Sequence, residues 1–133
     1  MKKLLIGLLA SASMSSFADC SVSLTQWGAN GVHLNDSYVL EQASDFLIKK
    51  GYFITITSEG AYNLHVNYHG VFSTSGRSKN VGTTLTLSKL EDDGKVTIAS
   101  VKNEKNGGNE MRVSKVTLKR NFKDIVKIIP DCY

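Results

Sequence analysis

Only two cysteines, Cys20 and Cys132, occur in the chain, one at the second residue of the expected exported chain and the other at the next-to-last position. A disulfide between them closes almost the whole domain into one loop and holds its first and last segments side by side. In the chain-entropy model a loop of that length stabilises by about 4 to 5 kcal/mol. No C-x-x-C spacing is present, so the pair reads as a staple and not as a redox centre. The staple requires an oxidising compartment, and the N-terminus supplies one. Met1-Lys2-Lys3 is a positive n-region, Leu4 to Ala12 is an apolar run, and Ser16-Phe17-Ala18 places small residues at −3 and −1 of a cleavage site. The compact Met-Lys-Lys leader looks like that of a bacterial secreted protein, which makes the periplasm or beyond the expected location. Residues 1–18 are thus expected to be a signal peptide and residues 19–133 the working domain.

Removing 18 of 133 residues leaves the size of one ordinary domain. Hydrophobic residues at 41% and charged residues at 21% suit a compact fold and exclude a disordered or fibrous chain. The formal charge of +4 includes Lys2 and Lys3, so the exported chain carries +2. That balance gives no global argument for nucleic-acid binding. The leader's apolar run is too short for a membrane span of roughly 20 residues, and no later run reaches that length. Phe17 and Asp19 occupy positions where a lipoprotein signal needs a Leu-like and a small residue before Cys20, so no lipid anchor is expected.

Ser21 to Trp27 alternates Val22, Leu24 and Gln26 with Ser23, Thr25 and Trp27, the period of a strand. From Tyr38 to Leu47 the apolar spacing becomes helical, with Asn35, Asp36 and Ser37 as available N-caps and Lys49-Lys50-Gly51 as the stop. The Asn35-Asp36-Ser37 triplet, formally a glycosylation sequon, is therefore read as a cap. Tyr52 to Thr57 and Ala61 to His69 read as strands, and the short Ser58-Glu59-Gly60 link makes a hairpin their natural pairing. Thr83 to Leu90 and Lys95 to Lys102 form a second hairpin about Asp93-Gly94. Val71 to Gly82 and Asn103 to Glu110 are polar loops, the first expected to be mobile.

Leu118, Phe122, Ile125, Val126 and Ile129 recur at helical spacing before Pro130, but Val113 and Val116 fall off that arc. A short strand from Met111 to about Thr117 is therefore an alternative to an earlier helix start. The expected fold is a single α+β domain, a mainly antiparallel sheet of about five strands with two helices packed on one face. A mixed sheet is allowed by the opening strand-helix-strand order.

Catalytic patterns are scarce. His65 and His69 share one face of a strand, where four residues span about 13 Å, too far for joint coordination of one ion. With Asn63 and Asn67 they form a polar strip. The run Gly76 to Thr84, G-R-S-K-N-V-G-T-T, has five residues between its glycines and lacks the Lys before Ser/Thr that a P-loop needs. No G-x-S-x-G elbow is present, and Glu91, Asp92 and Asp93 lie in a turn. No cofactor or metal is expected. What stands out is a basic block, Arg112, Lys115, Lys119, Arg120, Lys123 and Lys127, accompanied there only by Asp124. On a helix Lys119, Arg120, Lys123 and Lys127 cluster opposite Leu118, Phe122, Ile125 and Ile129, which fits contact with an acidic protein or an anionic envelope component. Nucleic acid is not expected, because interleaved aromatics are lacking.

The run Leu47 to Tyr68, with Lys50-Gly51-Tyr52 followed by Ala61-x-x-Leu64-x-Val66-x-Tyr68, resembles small bacterial envelope accessory proteins, many of them lipoproteins. The resemblance covers about 22 residues, lacks the lipid-attachment motif and transfers no site residues. It implies a noncatalytic accessory role. The residues and the resemblance together favour an exported binding protein of the cell envelope. An inhibitor or immunity protein for an envelope-directed enzyme, a small hydrolase using His65 or His69 with loop groups from Ser73 to Lys79, and a self-associating structural component are the alternatives.

Overall fold

The computed structural model describes residues 20–55, 60–70, 80–106 and 109–132. The expected leader, most of the short link after Thr55, the polar loop with Arg77 and Lys79, and Gly107-Gly108 lie outside the described residues. Five strands, β1 (Ser21–Trp27), β2 (Phe53–Thr55), β3 (Tyr62–His69), β4 (Val81–Glu91) and β5 (Gly94–Lys105), join two helices, α1 (Asp36–Leu47) and α2 (Glu110–Ile128). The strand order is β2-β1-β3-β4-β5. β1 runs parallel to both β2 and β3, while β3–β4 and β4–β5, which make up most of the ladder, are antiparallel.

One departure from the expected topology concerns β2 and β3. They do not pair as a hairpin but flank β1 on opposite sides, in register Val22 to Ile54 and Val22 to Tyr62. A β2–β3 hairpin would take β1 out of the middle of the sheet; between the two strands Val22 is fully buried. The chain returns over β1 at Gly60, where an added Cβ would lie 2.5 Å from the Ser23 amide nitrogen. Only glycine allows this approach.

Alternation on the strands directs Val22, Leu64, Val66, Tyr68, Leu85 and Leu87 to one side, where they join Val39, Ala43 and Leu47 of α1 and Leu118, Phe122 and Ile125 of α2 in one core. Both helices therefore cover the same face. Asn35 caps α1, its side chain accepting from the Ser37 amide at 2.9 Å. A 3-10 turn follows to Lys50, and Gly51 closes it at φ 86°. Phe46 stacks on Phe122 at 5.6 Å between the helices.

The strand alternative over Met111 to Thr117 is not what forms. Asn109 caps α2 by accepting from the Arg112 amide at 3.1 Å, and the helix runs unbroken from Glu110. Its buried face is completed by Ser114, Thr117 and Asn121, so apolar periodicity could not show where it begins. Asn121 donates to the Thr83 carbonyl and hydroxyl, both at 2.7 Å, and accepts from Asn103 at 2.6 Å; Thr83 also donates to Thr117 at 3.2 Å. This network draws Asn103, Glu104 and Lys105 into β5, shortening the expected loop.

The ends meet as expected. Cys20 and Cys132 form a disulfide with Cα atoms 5.8 Å apart. Around it the Cys132 amide donates to Lys50 O at 2.7 Å, Tyr52 donates its hydroxyl to Pro130 O at 2.8 Å, and Lys50 pairs with Asp131 at 3.3 Å. Burial, with Tyr62 and Asp131 adding to it, pushes the Tyr52 phenol up to about 12.

Candidate functional site

Among the described residues, two surfaces and one cleft hold the candidate side chains. The first surface is the outer face of α2. Arg112, Lys115, Lys119, Arg120, Lys123 and Lys127 are all exposed, and at helical spacing they occupy an arc of roughly 140° opposite the buried face. None of the six enters an ion pair among the described residues. Lys115 lies over the Tyr38 ring at 4.9 Å, which ties the N-terminal part of the arc to α1. Burial and the Glu41 carboxylate raise the Tyr38 phenol. Asp124 at the margin of the arc accepts from Asn103 at 3.1 Å and enters no ion pair with the cations among the described residues. Val116 lies within the arc, also exposed.

The second surface is the sheet face away from the helices. Here Asn63 is buried and His65, Asn67 and His69 are half-buried along β3. His65 Nδ1 lies 2.7 Å from Thr25 Oγ1 on β1, and His69 Nε2 lies 2.7 Å from Thr84 Oγ1 on β4. The two imidazoles thus share a face but bond to opposite neighbouring strands, and no group of three metal-binding side chains exists among the described residues. Burial, reinforced by Lys95 at His65 and by Lys102 at His69, lowers both imidazole pKa values; Glu104 partly opposes the shift at His69. Asn67, between Trp27 and Thr84 in register, keeps a buried Oδ1 without a hydrogen-bond partner. Trp27 stands 57% exposed on this polar face. The strand period assigns Trp27 to the face of Ser23 and Thr25; what periodicity does not carry is that neither described helix covers that face.

The cleft, about 570 Å³, wraps the edge of β1 beyond β2 and is lined by Ser23, Leu24, Thr25, Gln26, His33, Asp36, Leu40, Thr55, Asn63, Leu90 and Lys95. Asp36 accepts from Gln26 at 2.6 Å, and His33 donates to the Leu34 carbonyl at 2.9 Å. Thr25 reaches the cleft, but neither His65 nor His69 lines it. The histidine and hydroxyl pairs thus lie outside this cleft, apart from Thr25 itself. The loop groups from Ser73 to Lys79 that a hydrolase reading would add lie outside the described residues.

The architecture so defined is a small α+β domain whose two helices cover one face of a mixed five-stranded sheet, with a disulfide between Cys20 and Cys132. Among solved structures it is similar to the PelC dodecamer from Paraburkholderia phytofirmans, at 14% identity over 85% of this chain and 89% of that one, with a TM-score of 0.51. A PelC variant from the same organism gives 15% identity and the same TM-score over 85% of this chain and 88% of that one. A minor lipoprotein from Acinetobacter baumannii reaches 13% identity and a TM-score of 0.42 over 81% of this chain and 90% of that one. No protein-family model and no curated protein matches the chain. At this identity the likeness to PelC is one of fold.

Proposed function

We propose that this chain is a noncatalytic accessory protein of the bacterial cell envelope, exported to the periplasm or beyond, which engages an anionic partner through the outer face of α2. The observation that carries the reading is the cationic arc itself: six exposed basic side chains on one helix face without an acidic partner among the described residues. A core helix needs basic residues on its solvent side only for solubility, and a mixture of signs serves that purpose better. The disulfide and the leader support an oxidising compartment. PelC, whose fold is similar, is a dodecamer, which supports a multimeric working state for this chain.

The test is retention of the exported, oxidised protein on an anionic matrix such as phosphocellulose, compared with Lys119→Glu, Lys123→Glu and Lys127→Glu combined. Retention at low salt, lost in the variant and at high salt, is the expected result. Equal elution of the two proteins at low salt would remove the basic face from the account. An enzyme whose acidic surface is captured by the same face would turn the reading toward the inhibitor version.

A further inference from the structure

The anionic partner of α2 has a source within the chain itself. Glu91, Asp92 and Asp93 form the densest acidic run in the sequence, and they occupy the turn between β4 and β5. All three are exposed. Glu91 has only a 3.9 Å contact with Lys89, and Asp92 and Asp93 enter no ion pair among the described residues. Lys89 and Lys95 flank the turn, so the negative charge is confined to its tip. At the base of the tip Val96, 52% exposed, lies on the face it shares with Lys89, Leu90 lies on the opposite face with Lys95, and Val116, 36% exposed, lies inside the basic arc. The chain therefore segregates an acidic knob with an apolar base from a basic helix face with an apolar centre.

Their directions prevent an internal match. The turn extends along the strand axis past the start of β3, where Tyr62 pairs with Lys89. The basic arc points away from the sheet, because the opposite side of α2 is packed on β4 and β5. A knob at one end and a complementary face on one side meet only between molecules, head to tail. We infer that the β4–β5 turn of one copy docks on the α2 face of the next, with Glu91, Asp92 and Asp93 against Lys119, Lys123 and Lys127 and the apolar base near Val116. This rests on the reading of α2 as the docking face. Such a contact is heterologous, so it closes into a ring or continues as a filament according to the rotation between neighbours.

The experiment is sedimentation velocity on the exported, oxidised protein at ionic strengths of about 0.05 M and about 1 M. Two reversed variants are compared with it, Asp92→Lys with Asp93→Lys, and Lys119→Glu with Lys123→Glu. All four positions are exposed, so melting temperatures should stay near that of the parent protein. Expected are concentration-dependent oligomers of the parent protein at low salt and association weakened about tenfold or more in either variant. In each variant the reversed positions meet like charges on the neighbouring copy, while Arg112, Lys115, Arg120 and Lys127 keep the helix face of the second partly basic, so each alone should associate more weakly than the parent protein. Mixing them restores one native and one swapped contact, so the equimolar mixture should reassociate. A monomeric parent protein, association indifferent to the turn reversal, or a mixture that stays apart would each overturn the inference. Phosphocellulose retention of the same proteins separates the two readings: a monomer still retained through α2 leaves the docking face standing and removes only the second copy as its partner.

Discussion

Replacing Asn121 by Leu tests whether the polar seam under α2 holds this helix in place. The side chain is fully buried and makes three close hydrogen bonds, two to Thr83 at 2.7 Å and one from Asn103 at 2.6 Å. Leucine has the same branching and number of side-chain heavy atoms, with methyl groups bulkier than the amide, so the change removes hydrogen bonds without opening a cavity. Two of the three groups left behind keep another side-chain partner: Thr83 Oγ1 still donates to Thr117 at 3.2 Å, and Asn103 still reaches Asp124 at 3.1 Å, while the Thr83 carbonyl belongs to β4, paired on both sides. The full penalty for orphaned polar groups therefore does not apply. Three lost bonds at about 1 kcal/mol each give a loss of about 3 kcal/mol. For a domain of this size that corresponds to a fall in melting temperature of roughly 10 °C. Urea unfolding by circular dichroism measures the loss directly, and a cycle with Thr83→Val should show a coupling of about 1 kcal/mol. A change below about 0.5 kcal/mol, with no coupling, would refute the argument that this seam contributes to the packing of α2 on β4.

Other consequences of the geometry are open to simple tests. Ser114 Oγ is buried with no hydrogen-bond partner among the described residues, so Ser114→Ala should stabilise by up to about 1 kcal/mol in the same assay, and a loss would show that the hydroxyl is satisfied. Gly60→Ala forces a Cβ to 2.5 Å from the Ser23 nitrogen and should cost about 1 to 3 kcal/mol, read as a lower urea midpoint. Because burial lowers the pKa of both His65 and His69 below the ordinary 6.5, the unfolded chain binds more protons just below that pH. Their contribution to stability is present above 6.5 and is lost as the pH falls through it, so the urea midpoint should drop on acidification, and less so with His65→Gln and His69→Gln combined. A variant that follows the parent curve would assign the acid loss to other groups.

Local structure was legible wherever one period ran uninterrupted. Val22 and Leu24 marked β1, Tyr38 to Leu47 marked α1 with its Asn35 cap, and Asp93-Gly94 marked the β4–β5 turn. The basic arc was legible for the same reason, since spacing on a helix fixes which residues share a side. Pairing was not, because it depends on residues far apart in the chain: the short link after β2 suited a hairpin, but the burial of Val22 between two parallel strands decided otherwise. The start of α2 was hidden by Ser114, Thr117 and Asn121, buried residues that no apolar pattern includes. The contacts of His65 with Thr25 and of His69 with Thr84 depend on cross-strand register, which alternation alone does not specify.

The disulfide also decides how the domain meets a pull. Tension applied at the two chain ends enters through Cys20 and Cys132, whose Cα atoms are 5.8 Å apart. The covalent bridge carries that tension directly, and the sheet between the two cysteines feels almost none of it. Once the bridge is reduced, the same tension reaches β1, a strand held on both sides by β2 and β3, at one end and α2, packed on one face of the sheet, at the other.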